Sequence, residues 1–331
     1  ANPFSGLSGR DDLSLYAVPQ NAGSPIYAHA DVDGFVARDI KDPDLDTTAY
    51  PGPYHLLNTA INLVAGRSLA WQERKAASFV LSPLFCGYRQ LTARGEEPKF
   101  VDAYRSTFEF SSSPKCLTLG EAMATSGAAA SPNMGYHSSP AFAFLMGVFN
   151  IRLGRWVGNP APTEEEASKE LWKASGPGVA LWHLLREVFG LTNSDSGYVY
   201  LSDGGHFENL GVYELVRRPC RYIVVCDAGA DPQYGFEDLA NAIRKCPVDL
   251  GVEIDLDVKE IAGLDAQRYN GAPGALRNIR YSDQQVGTLL YIKACRRQGF
   301  PSDTMNYAIE NPKFPHETTA DQFFSESQFE S

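Results

Sequence analysis

The stretch that most constrains this chain is YVYLSDGGHFENLGVYELVRRPCRYIVVCDAGAD, residues 198–231. A run of β-branched and aromatic residues ends at Ser202-Asp203-Gly204-Gly205, and a helix-patterned run follows. A second apolar run, 222–226, ends at another acidic turn, Asp227-Ala228-Gly229. A strand fixes the side chain at its end, and glycines let a substrate or another backbone come close. We therefore predict a functional carboxylate at Asp203.

A simpler role for Asp203 is also open, because aspartate commonly caps a helix that follows a strand. Capping requires neither Gly204 nor Gly205, whereas close approach to a reacting centre can use both. The glycine pair therefore favours the functional interpretation. His206 follows directly and is a candidate for lining the same pocket, with a purely structural histidine as its alternative.

The order of predicted elements indicates the class of fold. Strand, helix and strand alternate over residues 198–256, which favours α/β architecture with a largely parallel sheet. Residues 178–191 (GVALWHLLREVFGL) carry apolar side chains near a 3.6-residue period and predict an amphipathic helix. The N-terminal predictions are an irregular lead-in over 1–53, helix-compatible or mixed spacing over 53–64 and a strand over 78–85. The remaining predictions are a surface loop or insertion over 159–177, a helix over 236–246, a strand over 248–256 and two strands within 276–294.

Composition excludes some classes of function. At 331 residues the chain has room for one large domain or two, and 44% hydrophobic with 21% charged residues is ordinary for a folded protein. The formal net charge is −11 and no basic block occurs. Because phosphate neutralisation needs clustered lysine and arginine, nucleic-acid binding and direct adsorption to an anionic membrane are disfavoured.

The cysteines and the apolar runs indicate the compartment. Six cysteines are widely spread without a CxxC pair, and several lie in apolar runs, as Cys226 does in YIVVCDAG. This predicts buried free thiols in a reducing compartment. No signal peptide and no 18-residue apolar run are present. Because the chain begins at Ala1 without a methionine, we expect a segment of a longer protein.

Two serines are weak candidates for a nucleophile. Ser126 in AMATSGAAASP is flanked by small residues, as in a G-x-S-x-G elbow, but no apolar strand precedes it and Pro132 follows closely. Tight packing of small residues is the alternative role. Ser8 in FSGLSGRDD fits Gly-x-Ser-Gly, but Arg10 and two aspartates follow where an apolar helix should begin. A surface turn is the favoured interpretation for Ser8.

The sequence contains no motif for a metal ion or a nucleotide cofactor. The histidines form no HExxH pattern or close pair, so we predict no metal site. No Walker or G-x-G-x-x-G pattern occurs, and we predict no cofactor.

The order of TSGAAASP (125–132) and LSDGGHFENLG (201–211) resembles the patatin-like phospholipase family. In that family a small-residue turn precedes an Asp-Gly-Gly or Asp-Gly-Ala turn, with an asparagine and a helix after it. Asp203-Gly204-Gly205 and Asn209 match the second motif, and residues 126–129 match the first loosely. The chain is most similar to large bacterial and fungal patatin-like proteins from about Pro53 onward, through runs such as SPNMGYHSSPA and FPHETTADQFFSESQFES.

The resemblance implies a three-layer α/β/α core, incomplete at its N-terminal side, and hydrolysis of lipid acyl esters by a Ser–Asp dyad. A base must take the proton of a serine before it attacks, and backbone donors stabilise the oxyanion. Only Asp203 falls on a catalytic position of the family. Ser126 matches the turn before Asp-Gly-Gly, so the nucleophile is expected upstream of this chain.

The sequence therefore predicts part of a phospholipase- or lysophospholipase-type hydrolase with Asp203 as base, Gly204, Gly205 and His206 as substrate-binding candidates, and no activity in isolation. Expected partners are a lipid substrate and the upstream segment of the polypeptide, with membrane contact through missing segments and a location in the cytoplasm or on the cytoplasmic face of a membrane. A non-catalytic lipid-binding or scaffold module with the same fold is the alternative. A self-contained esterase using Ser8 or Ser126 is the least favoured.

Overall fold

The protein was analysed as a computed structural model that describes residues 15, 54–63, 76–92, 99–112, 117–128, 154–161, 170–178, 196–258, 261, 272–281, 285–296, 301–318 and 325–330. The chain divides into two compact units, Ala1–Phe207 and Glu208–Ser331. The boundary falls inside the stretch 198–231 that dominates the sequence. Among the described residues, no helix combines the length and apolar character needed to cross a membrane.

The first unit contains a six-stranded sheet in the order β4-β3-β2-β1-β6-β5. All five strand pairs are antiparallel. The strands are β1 (Leu57–Asn62), β2 (Ala76–Leu81), β3 (Phe85–Thr92), β4 (Lys99–Ser106), β5 (Arg155–Gly158) and β6 (Tyr198–Asp203).

A hydrophobic core lies against one face of this sheet. Strands β1 and β2 pair with Leu57 opposite Leu81 and Ile61 opposite Ala77, so their apolar side chains meet on that face. The ring of Phe79 stacks on Tyr88 with centroids 5.7 Å apart. Within the segment 53–64, whose spacing is helix-compatible or mixed, residues 57–62 form a strand because their core-facing positions find apolar partners across β2.

Helix α1 (Leu119–Ser126) contacts β1 and β6. It begins with a capping box, in which the Thr118 hydroxyl accepts from the Glu121 N–H and the Glu121 carboxylate accepts from the Thr118 N–H. Glu121 also pairs with Arg155 of β5 at 3.1 Å. Within the predicted insertion 159–177, the described part contains a 3₁₀ turn whose Trp172 is buried.

The second unit contains a four-stranded sheet in the order β7-β10-β9-β8. Strands β7 and β10 are parallel, and the other two pairs are antiparallel. Its elements are α2 (Val212–Arg217), β7 (Tyr222–Asp227), α3 (Glu237–Leu250), β8 (Glu253–Ile254), β9 (Gly274–Arg280), β10 (Val286–Lys293), α4 (Ser302–Glu310) and α5 (Glu326–Glu330).

The predicted three-layer α/β/α core with a largely parallel sheet is wrong. Strands β6 and β7 lie in different sheets, so the segment β6-α2-β7 is not a parallel crossover. Strand β6 pairs instead with β1 and β5, both antiparallel. Alternation of elements along the chain predicts a parallel sheet only when consecutive strands enter the same sheet. Here β6 pairs with β1, a strand of the first unit that is distant in sequence from β7.

Several local predictions are confirmed. Helix α3 covers 236–246 almost completely, and β9 and β10 lie within or close to 276–294. The strand predicted over 248–256 shrinks to Glu253–Ile254, because α3 continues to Leu250 and ends at Gly251 with a φ of 66°. The helix predicted over 178–191 and the lead-in 1–53 fall almost entirely outside the described residues.

Candidate functional site

Asp203 is the last residue of β6, and its neighbours hold it in place. Thr59 of β1 lies opposite Asp203, and Ala60 lies opposite Ser202. The residues just before it, Tyr200 and Leu201, are fully buried. A carboxylate at this point has a fixed backbone but a half-buried side chain, which is a suitable position for a reacting group.

The two oxygens of Asp203 have different surroundings. Oδ1 accepts a hydrogen bond of 2.6 Å from the Gly205 N–H and caps the 3₁₀ turn Gly204–His206. Oδ2 accepts no hydrogen bond from the residues that the structure describes. Asp203 therefore does cap the turn, but it uses only one of its two carboxylate oxygens to do so.

Gly204 is buried and touches the protein's own backbone. A Cβ at this position would lie 2.6 Å from the carbonyl oxygen of Asn58 in β1, a distance that no real Cβ adopts. The sequence correctly indicates a close backbone approach, but the approaching backbone is β1. Gly205 is half-buried, and its N–H is engaged by Asp203.

The two motifs that carry the family resemblance meet at Asn58. The Ser126 hydroxyl, at the end of α1, donates to the Asn58 carbonyl oxygen at 2.6 Å. The Asp203 N–H donates to the Ala128 carbonyl oxygen at 3.4 Å. The Asn58 Oδ1 is buried and accepts no hydrogen bond from the described residues. Two segments separated by about 75 positions in sequence are therefore neighbours, with the Ser126 hydroxyl committed to the backbone.

His206 belongs to a hydrogen-bonded chain on the other side of β6. Its Nδ1 lies 2.8 Å from the Ser202 Oγ, and that hydroxyl donates to the Asn62 Oδ1 at 3.2 Å. Because a hydroxyl carries one proton, His206 donates from Nδ1 in this arrangement. Successive strand side chains alternate between faces, so His206 is tied to the face opposite that of Asp203.

Sequence reasoning missed the polar residues of β1. Asn58 and Asn62 lie in LNTAIN, a run that is otherwise suited to a buried strand. Asn62 is 1% exposed. An asparagine buried in a strand costs free energy unless it is hydrogen-bonded, so its presence in such a run was the available signal.

The other candidate residues add no second centre of this kind. Ser8 lies outside the described residues. Asn209, which matches the family motif, is exposed and donates to Asp238 Oδ2 at 3.0 Å in the second unit. Across the described ranges, no three His, Cys, Asp or Glu side chains are arranged to hold a metal ion.

The described cysteines form no disulfide among themselves, and not all of them are buried. Cys86 and Cys246 are buried, and burial raises their pKa values to about 11 and about 12. Cys226 is exposed, so the prediction that it is buried is wrong. It lies on the outward-facing side of β7, which alternates between exposed and buried positions.

The second acidic turn forms a buried ionic cluster. Asp227 and Lys293 end the parallel strands β7 and β10, lie opposite each other, and join at 3.0 Å with side chains only 2% exposed. The Tyr291 hydroxyl donates to the same Asp227 oxygen at 2.5 Å. Burial, and then the hydrogen bond to Asp227, raise the pKa of Tyr291 far above its usual value. Lysine and tyrosine therefore both bind Asp227.

Two further ionisable groups surround this pair. Burial acts to raise the pKa of Asp231, but hydrogen bonds from the Phe236 and Gly235 N–H groups and the charge of Lys293 hold it below its ordinary value. His316 accepts from the Asp231 N–H at Nδ1, at 3.3 Å. Burial first, and then the Lys293 cation, lower the pKa of His316. His316 is therefore held neutral.

No family model matches the chain, and no curated protein matches it either. The functional conclusion therefore depends on the residues and their geometry.

Proposed function

We propose that this chain is part of a lipid acyl-ester hydrolase of the phospholipase or lysophospholipase type, with Asp203 as the general base. The observation that carries the proposal is the divided carboxylate of Asp203. One oxygen is held by the Gly205 N–H, and the other, half-buried at a strand end, is bonded to nothing among the described residues. A base needs both a fixed position and an oxygen available to take a proton.

The reaction follows from a Ser–Asp dyad. The serine hydroxyl gives its proton to the Asp203 Oδ2 while its oxygen attacks the ester carbonyl carbon. Collapse of the tetrahedral intermediate returns that proton to the departing alcohol and leaves an acyl-serine, which water then hydrolyses with Asp203 again as base. We place the nucleophile on a serine upstream of Ala1, because the Ser126 hydroxyl already donates to the Asn58 carbonyl oxygen and no apolar helix pattern follows Ser8.

The decisive experiment replaces Asp203 in the longer polypeptide that includes the upstream segment. Asp203→Asn should reduce hydrolysis of a short-chain ester and of a phospholipid by about 10²–10⁴-fold, since loss of a general base costs that much. Asp102→Asn is the matched control, because that half-exposed carboxylate on β4 makes only a 3.8 Å pair with Arg89. Equal activity of the two variants would refute the role of Asp203.

A second measurement tests the position of the nucleophile. Residues 1–331 alone should not hydrolyse the ester, and Ser126→Ala and Ser8→Ala should leave the activity of the longer polypeptide unchanged. Ester hydrolysis by the isolated chain that either serine substitution abolishes would place the nucleophile within it.

A non-catalytic lipid-binding module is the second candidate. The observation in its favour is that Ser126, the one candidate serine among the described residues, has its hydroxyl engaged by backbone. A fluorophosphonate probe separates the two functions, because it labels an activated serine in the longer polypeptide of an enzyme and none in a scaffold. An upstream glycine-rich loop followed by a strand–GxSxG–helix pattern would also favour the enzyme.

A further inference from the structure

The four-stranded sheet of the second unit has an apolar outer face. Register and strand alternation place Tyr222 beside Thr288, Leu290 between Val224 and Leu276, and Val286 beside Arg280 on the same face. The side chains of this outer face are Tyr222, Val224, Cys226, Glu253, Leu276, Asn278, Arg280, Val286, Thr288, Leu290 and Ile292. Seven of these eleven are apolar, which is the composition of a packing surface.

This outer face is exposed, whereas the inner face is not. Tyr222 is 70% exposed, Val224 59%, Leu276 58%, Val286 54% and Ile292 36%. On the inner face the apolar side chains of the same three strands are almost fully buried; they are Ile223, Val225, Ala275, Ile279, Leu289 and Tyr291. This sheet therefore has one buried face and one face that exposes a large apolar area to solvent.

The size of the exposed area indicates what it fits. Side chains of this size present on the order of 150–200 Å² each when free, so the five exposed ones leave roughly 500 Å² uncovered. Monomeric proteins rarely expose contiguous apolar patches above a few hundred Å². Two such faces packed together would remove about 1,000 Å² from water, which reaches the lower limit for a specific protein interface.

The charges of the outer face favour an identical partner over a lipid surface. They lie at its rim: Glu253 and Arg280 pair at 3.3 Å on one side, and the Arg221 guanidinium lies 5.4 Å from the Tyr222 ring centroid on the other. An apolar centre with a polar rim is typical of protein interfaces. The rim pair offers both a carboxylate and a guanidinium to the same pair on a second copy, which matches a self-complementary contact.

We propose that the outer face is a self-association interface, through which two copies of this chain pack sheet against sheet about a two-fold axis. Such an arrangement makes a two-sheet sandwich, in which side chains from both outer faces interdigitate. It covers Tyr222, Val224 and Leu276 in both copies at once. The interface is independent of the proposed hydrolase site, which lies in the first unit.

Sedimentation velocity over a micromolar concentration range tests the proposal on residues 1–331. The protein should be a dimer that dissociates on dilution, and Val224→Glu and Leu276→Glu should each weaken the dimer by at least about tenfold, because each would bury a charge. Matched controls are Val248→Glu on α3 and Ile309→Glu on α4, where the side chains are 67% and 73% exposed but lie off this face. They should leave the dimer unchanged.

Alkylation of Cys226 provides a readout at the face itself. Its thiol is exposed in the single chain and should become protected as concentration rises, with protection lost in Val224→Glu. A wild-type chain that stays monomeric would overturn the proposal, and so would equal weakening by the control variants. Binding of the monomer to phosphatidylcholine vesicles that Val224→Glu abolishes would assign the face to lipid and also overturn it.

Discussion

The two acidic turns of this protein are alike in sequence and different in their surroundings. Asp203 and Asp227 each end a strand, and each accepts a hydrogen bond at Oδ1 from the glycine N–H two residues later, at 2.6 and 2.9 Å. The second oxygen separates them. In Asp227 it binds Lys293 and Tyr291, whereas in Asp203 it accepts no hydrogen bond from the described residues.

This difference separates a structural carboxylate from one that is available for chemistry. A buried carboxylate with a lysine and a tyrosine on one oxygen has no acceptor position left for a substrate proton there. A half-buried carboxylate whose second oxygen accepts no hydrogen bond from the described residues keeps such a position. The turn alone does not decide the role of the aspartate; the side chains that neighbouring strands bring to its second oxygen do.

Removing the partner of Asp227 should have the largest effect on stability. Lys293→Met leaves a buried carboxylate without its counter-ion, which should cost about 3–5 kcal/mol of unfolding free energy. Asp203→Asn, whose amide oxygen still accepts from Gly205, should change it by less than about 0.5 kcal/mol. Tryptophan fluorescence would report mainly on the first unit, because all four tryptophans (71, 156, 172 and 182) lie there, whereas Lys293 lies in the second. Hydrogen exchange, which reports on both units, is therefore the suitable measurement.

The double variant Asp227→Asn/Lys293→Met controls for general disruption of the core. It should be less destabilised than the sum of its single variants, since neither charge remains buried alone. If Lys293→Met and Asp203→Asn changed stability equally, the distinction between the two turns would fail.

Alanine substitutions of a glycine in each turn should lower the free energy of unfolding by different amounts, both smaller than the loss in Lys293→Met. Gly204→Ala forces a Cβ to 2.6 Å from the Asn58 carbonyl oxygen, and backbone cannot yield easily, so the loss should be about 1–3 kcal/mol. Gly229→Ala meets the carboxylates of Asp227 and Asp238 at 3.1 and 3.3 Å. The Asp238 carboxylate can shift, and the buried Asp227 carboxylate has to give by only a few tenths of an ångström, so the cost should be smaller than at Gly204, about 1 kcal/mol. Urea denaturation of both variants measures these losses. A larger loss in Gly229→Ala than in Gly204→Ala would contradict the packing of Gly204 against β1.

The smallest effect is a dependence of stability on pH through His316. The folded protein holds the pKa of His316 below the ordinary value of about 6.5, so the unfolded chain takes up the proton first as pH falls. The contribution is full above pH ~6.5 and should be lost progressively as pH falls below that value. Thermal unfolding of wild type and His316→Gln between neutral and mildly acidic pH measures it.

His55→Gln is the matched control, because His55 is exposed and lies in the other unit. It should keep the wild-type pH profile, whereas His316→Gln should flatten it. Retention of the full pH dependence in His316→Gln would show that the acid sensitivity arises elsewhere. Asp231 acts at lower pH, since its lowered pKa affects stability only near and below its usual value of about 3.8.

Much of the local structure could be predicted from sequence. The ends of β6 and β7, the helix α3 and the paired strands β9 and β10 follow from apolar periodicity and from glycines at the turns. Strand direction could not be predicted, because β6 finds its partners at Thr59 and Trp156 rather than along its own neighbouring sequence. Pairing between distant segments depends on which apolar faces cover each other, and periodicity carries no information about that.

By itself, the sequence of this protein determined where the chain turns: an acid at two strand ends, and a glycine where backbones touch. Those features are local, because they depend on side-chain shape and backbone freedom within a few residues. Only the tertiary structure decided that β6 joins an antiparallel sheet and that Ser126 meets the Asn58 carbonyl oxygen. It also decided that Lys293 binds the second oxygen of Asp227, whereas no described residue donates a hydrogen bond to that of Asp203. The environment of a carboxylate is set by residues distant in sequence, and folding alone brings them together.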